Sequence, residues 1–190
     1  MLRDLRIGLV MLVGLTVCTG VVYPAIVTGV AQVFFRGRAN GDLIVREGKP
    51  VGATQIGQAW DDPRYIWGRP SATRPAPYNA AASSGSNLGP TNPALRDRVA
   101  ASVAAWRAAH PQAQGPVPVD LVTTSASGLD PHITPAAALW QAERVATARG
   151  LDPEVVRAMI RRQIEPRQLG ILGEPRVHVL RLNLALDALP

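Results

Sequence analysis

Polar positions are distributed along this chain in two very different ways. From Ile7 to Phe35 run 29 residues without a charge, IGLVMLVGLTVCTGVVYPAIVTGVAQVFF. A helix rising about 1.5 Å per residue crosses the roughly 30 Å hydrocarbon core with about 20 residues, so the run predicts a transmembrane helix over 7–35 behind a short tail, 1–6. Pro24 has no backbone donor and marks the expected kink. Gly8, Gly14, Gly20 and Gly29, with Thr16, Thr19 and Thr28, are small enough to admit a neighbouring helix, although lipid tolerates them equally. The apolar core is about twice the length of a cleaved signal's, and no A-x-A-like site follows it. Cys18 follows Val17 rather than a small residue, so it reads as a lipid-facing or packing residue, not a lipidation site.

Beyond Arg36 the periods shorten and alternate. Leu43–Arg46 and 51–56 are β-prone runs separated by Glu47-Gly48-Lys49, a predicted hairpin. Residues 61–92 are crowded with Pro, Gly, Ser, Asn and Ala, yet Tyr65, Trp67 and Tyr78 supply apolar anchors that a disordered linker lacks, as does Trp60 just ahead of them. This predicts an ordered, irregular surface. Asn92-Pro93 opens a helix whose Leu95, Val99, Val103 and Trp106 form one stripe, ending at His110-Pro111. PVPVDLVTTS predicts an edge strand. Thr134-Pro135 caps a second helix running to Gly150, with Leu139, Ala142, Val145 and Ala146 inward. Asp152-Pro153 caps a third, with Val156, Met159 and Ile160 inward and Pro166 as its limit. VHVLRLNLAL closes the chain as a strand or a strand-to-helix element. The expected architecture is α+β: a transmembrane helix followed by one small mixed domain over 36–190.

Charge adds little to this picture. The segment from Arg36 onward carries eighteen basic and thirteen acidic residues, and nineteen of the chain's twenty basic residues are Arg. Apart from Arg161 and Arg162 they stand singly rather than clustered with aromatics, which argues against nucleic-acid binding. Arginines flank both ends of the apolar run, so charge does not orient it. The short tail and long following domain favour an uncleaved signal anchor with the domain extracytoplasmic.

Candidate chemistry is sparse. His110, His132 and His178 lie far apart without cysteine partners, so no metal site is predicted. Asp130-Pro131-His132, with Ser125 and Ser127 upstream, admits a membrane-anchored serine hydrolase, but the G-x-S-x-G elbow is lacking. The alternative is a turn leading into the helix capped by Thr134. Residues 81–92, AASSGSNLGPTN, could offer backbone N–H groups to an anion, with Arg69 and Arg74 adding charge.

An ordered series of blocks then stands out: Tyr23-Pro24 in the span, YIWGRPSAT (65–73), PYN (77–79), SGSNLGPTNP (84–93), PVDLVTTSASGLDPHITPAAA (118–138), RVATAR (144–149) and LGEPRVHVLRLNLALD (172–187). In these the chain closely resembles the C subunit of the Kdp potassium-transporting ATPase family, from the anchor to Asp187. The resemblance implies an inner-membrane complex in which a channel-like subunit carries potassium and a P-type ATPase subunit hydrolyses ATP. It implies an accessory role for this subunit in assembly and function, as a catalytic chaperone raising ATP affinity through an S-G-G-S-N motif. That motif corresponds to Ser83, Ser84, Gly85, Ser86 and Asn87, with Ser84 where many members have the first glycine. No cofactor is implied on this chain itself, and ATP enters only through the complex. Expected membrane-partner contacts are Gly14, Gly20, Tyr23 and Pro24. Expected domain contacts are Trp67, Arg69, Tyr78 and Asn79. No DKTG-type phosphorylation motif is present. An external domain and direct ATP contact exclude each other in the resting complex.

Overall fold

The structure, a computed structural model, describes residues 1–189. The chain divides into two compact units, one over Met1–Val51 and one from Gly52 onward.

The first unit is dominated by a helix of 33 residues, Leu2–Phe34, none of it buried by its own chain. It comprises α1 (Leu2–Val17), a π-helical turn (Cys18–Val22) and α2 (Tyr23–Phe34). The π turn has a local cause. Pro24 lacks the N–H that would bond to the Gly20 carbonyl, and its ring would clash with that carbonyl in a regular helix. The Tyr23 N–H instead reaches back five residues to the Cys18 carbonyl, a π-type bond that widens the turn. The predicted break at Pro24 thus takes the form of a π turn just ahead of it. After α3 (Arg36–Ala39), the Gln32 and Asn40 amides pair reciprocally at 3.1 and 3.3 Å. β1 (Leu43–Arg46) and β2 (Lys49–Ala53) follow as a two-stranded sheet. Glu47 and Gly48 both have positive φ, 50° and 74°, the pattern of a two-residue hairpin turn. The second strand therefore starts at Lys49, two residues earlier than the β-prone run indicated.

The second unit packs helices on a small antiparallel sheet. Its helices are α4 (Pro93–Ala109), α5 (Val119–Val122), α6 (Pro135–Trp140), α7 (Ala142–Arg149), α8 (Pro153–Arg162) and α9 (Val179–Leu186). The strands β3 (His132–Ile133), β4 (Ile164–Glu165) and β5 (Arg176–His178) are arranged β3-β5-β4. Ile133 and Ile164 both pair with Val177. Ile66, Leu121, Ala142, Val145, Val156, Ile160, Leu182 and Leu186 are fully buried between these elements.

Three helix starts follow from local capping: Asn92, Thr134 and Asp152 each accept a backbone N–H from their own first turn, with Pro next in sequence. Three expectations are corrected. Within PVPVDLVTTS, Val119–Val122 form the short helix α5 in place of the expected strand, because the Asp120 carboxylate accepts from Thr134 N and Oγ1 at 2.7 and 3.2 Å and pulls the chain into a turn. The helix predicted over 135–149 is interrupted at Gln141, whose N–H bonds back only three residues, to the Ala138 carbonyl. The third helix stops at Arg162, since β4 is needed beside β5 before Pro166 arrives.

Candidate functional site

The irregular segment 61–79 owes its order to side chains from α7, α9 and the α6–α7 junction. Extended backbone at 65–69 has no strand neighbour, so its polar groups need other partners. Asn183 Oδ1 accepts from Ile66 N at 2.8 Å, and its Nδ2 donates to Ile66 O at 2.9 Å. Gln141 does the same one residue on, 2.9 Å from Trp67 N and 3.0 Å to Trp67 O. Two buried side-chain amides thus stand in for a missing strand. The preceding carbonyls are held by arginines of α7: Arg144 donates to Pro63 O and Tyr65 O, and Arg149 to Arg64 O. The Arg144 guanidinium also lies 4.0 Å over the Trp67 ring. The blocks YIWGRPSAT, RVATAR and VHVLRLNLALD are therefore one interlocked unit.

His110 completes this centre. Its Nδ1 donates to Trp106 O at 2.9 Å, leaving Nε2 to accept from Arg144 Nε at 2.7 Å. Burial, with the Arg144 charge beside it, pushes its pKa down to about 4. Burial also lowers Arg144, to about 10. The ring is neutral and structural.

The predicted chemical residues gather in two neighbouring places. Arg69, Asp130 and His132 line an open cleft of about 330 Å³ with Asp120, Thr134, Glu174 and Arg176. Asp130 accepts from Arg69 Nη1 at 3.2 Å through one oxygen, and from His132 N and Nδ1 at 3.0 and 3.2 Å through the other. Burial pushes the Asp130 carboxyl up, but these His132 bonds and the Arg69 charge outweigh it and hold it low. Arg69 also donates to Thr123 O and Thr124 O. The His178 ring stands edge-on to His132 at 5.1 Å, and its Nε2 donates to Thr54 O.

The hydrolase constellation is not assembled. Ser125 Oγ accepts from Gly128 N and Ser127 Oγ from Leu129 N, at 2.9 and 3.1 Å. Among the described residues neither hydroxyl bonds to His132, so the nucleophile–base contact of a triad is missing. Asp130, His132 and the two serines instead shape the turn into β3 and α6.

Ser83–Asn87 docks on that same turn. Ser84 N donates to Ser127 O at 2.9 Å, and Ser83 Oγ to the same carbonyl at 3.1 Å. A Cβ on Gly85 would lie 2.8 Å from Ala126 O, so close backbone approach explains the glycine here. Asn87 is left-handed, φ 52°. Outside the loop lies a groove of about 780 Å³, lined by Ser71, Thr73, Arg74, Ser84, Ser86 and Arg98 among others.

The other predicted contacts are turned mostly inward. Tyr78 is wedged between Gly57 and Gly68, either of which would clash with its ring or hydroxyl if it carried a Cβ, and its hydroxyl donates to Arg69 O at 2.6 Å. Burial pushes its pKa up to about 12. Trp67 Nε1 donates to Asp62 O, and Asn79 caps a 3-10 turn over Ala80–Ala82. In the span, Gly14, Gly20 and Tyr23 are exposed, and apart from the helix's own adjoining backbone nothing lies within 4 Å of a Cβ built on either glycine. The sequence does not single out Gln141, Asn183 or Arg144, and it offers His110 only as a helix end and as an isolated histidine. The polar residues Gln141 and Asn183 inside apolar helical patterns are the signal that marks them.

The sequence model of one family, K+-transporting ATPase, c chain, matches residues 5–188. Curated proteins named Potassium-transporting ATPase KdpC subunit are similar over almost the whole chain. That of Polaromonas naphthalenivorans is 61% identical over 185 residues, covering 97% of this chain and 94% of the relative. That of Sorangium cellulosum is 58% identical, covering 98% of both, and that of Methylococcus capsulatus 57%, covering 100% of both.

Proposed function

The chain belongs to the K+-transporting ATPase, c chain, family, and from this premise we propose that it is the accessory, non-catalytic subunit of an ATP-driven potassium uptake complex. Its partners in this reading are a channel-like potassium-carrying subunit and the P-type ATPase subunit. The span Leu2–Phe34 stays in the inner membrane as a single pass and packs against the channel-like partner. The domain lies outside the cytoplasm and steadies the partner's outer mouth, presenting the exposed parts of 61–92. Trp67, Arg69, Tyr78 and Asn79 shape that surface from behind.

The observation that carries the reading is the span itself. From Ile7 onward it is an uncharged helix, none of it buried by its own chain, with open space beside Gly14 and Gly20 and a π turn ahead of Pro24. Small residues of this kind let helices pack closely in lipid, and π turns inside helices are frequent at functional sites. The domain supports a non-catalytic role, because its serines, His132 and Asp130 are engaged in shaping a turn.

Purifying the complex from cells lacking this chain tests the proposal. Loss of potassium-dependent ATPase activity, or of association between the other two subunits, is expected. Unchanged activity in an intact complex would refute it.

A second reading, ATP contact at Ser83–Asn87, draws support from the groove with Arg74 and Arg98 beside the loop. It requires the domain on the nucleotide side of the membrane. Saturable ATP binding to the full chain, abolished by Ser86→Ala, would support it; no binding at millimolar ATP would end it.

A further inference from the structure

The large apolar side chains exposed from Gly52 onward are few: Val119, Val155, and three within four positions, Leu169, Ile171 and Leu172, exposed by 88%, 75% and 54%. These three sit at the tip of the β4–β5 connection. The tip is built rather than loose. Gln168 and Leu172 exchange two backbone hydrogen bonds of 2.9 Å, and Gly170 N–H donates to Arg167 O at 3.1 Å. Leu169 is left-handed, φ 54°, an unusual conformation for leucine. At the neck, Arg167 pairs with Glu174 at 2.6 Å. A structured turn therefore holds three aliphatic side chains in water that the fold does not use.

Charge gathers around the same hairpin. Residues 161–181 contain Arg161, Arg162, Arg167, Arg176 and Arg181 against Glu165 and Glu174, a net charge of +3. Arg176 and Arg181 share Glu165 and Arg161 pairs with Glu154, so the surplus positive charge is modest; an apolar tip on a net basic hairpin still suits the boundary between acyl chains and anionic headgroups. Residues 35–51 tie this domain to the end of the span, so it samples the bilayer surface at high effective concentration, and a weak insertion suffices. The tip also lacks the Trp and Tyr that dominate protein–protein hot spots, where Leu is under-represented.

We propose that the hairpin tip Leu169–Leu172 inserts into the interface of an anionic bilayer, giving the domain a second point of membrane attachment. The inference rests on the span being membrane-embedded, and on neither the side of the domain nor the identity of its partners.

The test uses the full chain alone in nanodiscs containing phosphatidylglycerol, in a Cys18→Ser background. An environment-sensitive fluorophore is attached at Ile171→Cys, or, as a control, at Ala101→Cys on the exposed face of α4. Insertion predicts blue-shifted emission from position 171 and strong quenching by nitroxide-labelled lipid, both absent at 101 and both lost when Leu169→Asp and Leu172→Asp are added. Emission from 171 matching 101 would overturn the proposal. A blue shift appearing only after the partner subunits are added would also overturn it, assigning the tip to a protein interface. Failure of the chain to enter nanodiscs at all would instead refute the span, and the proposal with it.

Discussion

At the residue scale, two amides and one imidazole do work that would ordinarily fall to a β-strand. Asn183 satisfies both polar groups of the Ile66 backbone in a fully buried setting. Asn183→Ala leaves an N–H and a C=O without partners, at about 1–3 kcal/mol for each orphaned group. A total loss of roughly 2–6 kcal/mol is expected in denaturant unfolding of the full chain in micelles, followed by near-UV circular dichroism; a loss within error would remove the clamp from the account. His110 predicts a pH dependence. Its pKa is about 4 when folded against about 6.5 in an unfolded chain. Between those values the unfolded state binds a proton that the folded state does not, so stability falls as pH drops from about 6.5 to about 4 and levels below. Burial lowers His178 as well, adding in the same direction. Over that whole range the fall attributable to His110 is roughly 3 kcal/mol. Unfolding midpoints at pH 7 and 4.5 measure it, and His110→Gln should flatten the slope.

Elements show where sequence was readable and where it was not. The starts of α4, α6 and α8 were legible because a cap is a contact among neighbours in sequence: Asn92, Thr134 and Asp152 bond within their own first turn. The strand expected at 116–125 failed because its fate is decided by Thr134, fourteen residues from Asp120. The interruption at Gln141 was hidden for the same reason, since its amide bonds to Trp67. The span was legible as a span, and Pro24 as its irregular point. The form of that irregularity, a π turn closed by Tyr23 N–H on Cys18 O, depends on backbone geometry. Pro24→Ala supplies the missing donor and should convert the turn to regular α-helix, rotating the two halves relative to one another. Residual dipolar couplings in micelles would show one continuous α-helix, and a persisting π turn would mean another cause. At the docked loop, Gly85→Ala drives a Cβ against the Ala126 carbonyl. A stability loss of about 1–3 kcal/mol is expected. Lost ATP affinity at unchanged stability would instead favour the nucleotide reading of Ser83–Asn87.

For the whole molecule, an anchor and a small domain together form a subunit of a larger ATPase. The α+β class and the family were legible from the ordered blocks, but how those blocks cooperate was not: three of them close on each other through Arg144, Arg149, Gln141 and Asn183. Of the two readings the sequence offered for the serine–histidine–aspartate grouping, the turn is the one found in space. Sidedness decides among the functional readings, because a domain outside the cytoplasm serves a transport partner, whereas one inside would meet ATP. The most direct measurement is labelling of Ala101→Cys, in a Cys18→Ser background, by a membrane-impermeant maleimide in intact cells expressing the complex. Labelling from outside, with the full-length chain retained in the membrane fraction, is predicted. Labelling only after the inner membrane is permeabilised would contradict the account.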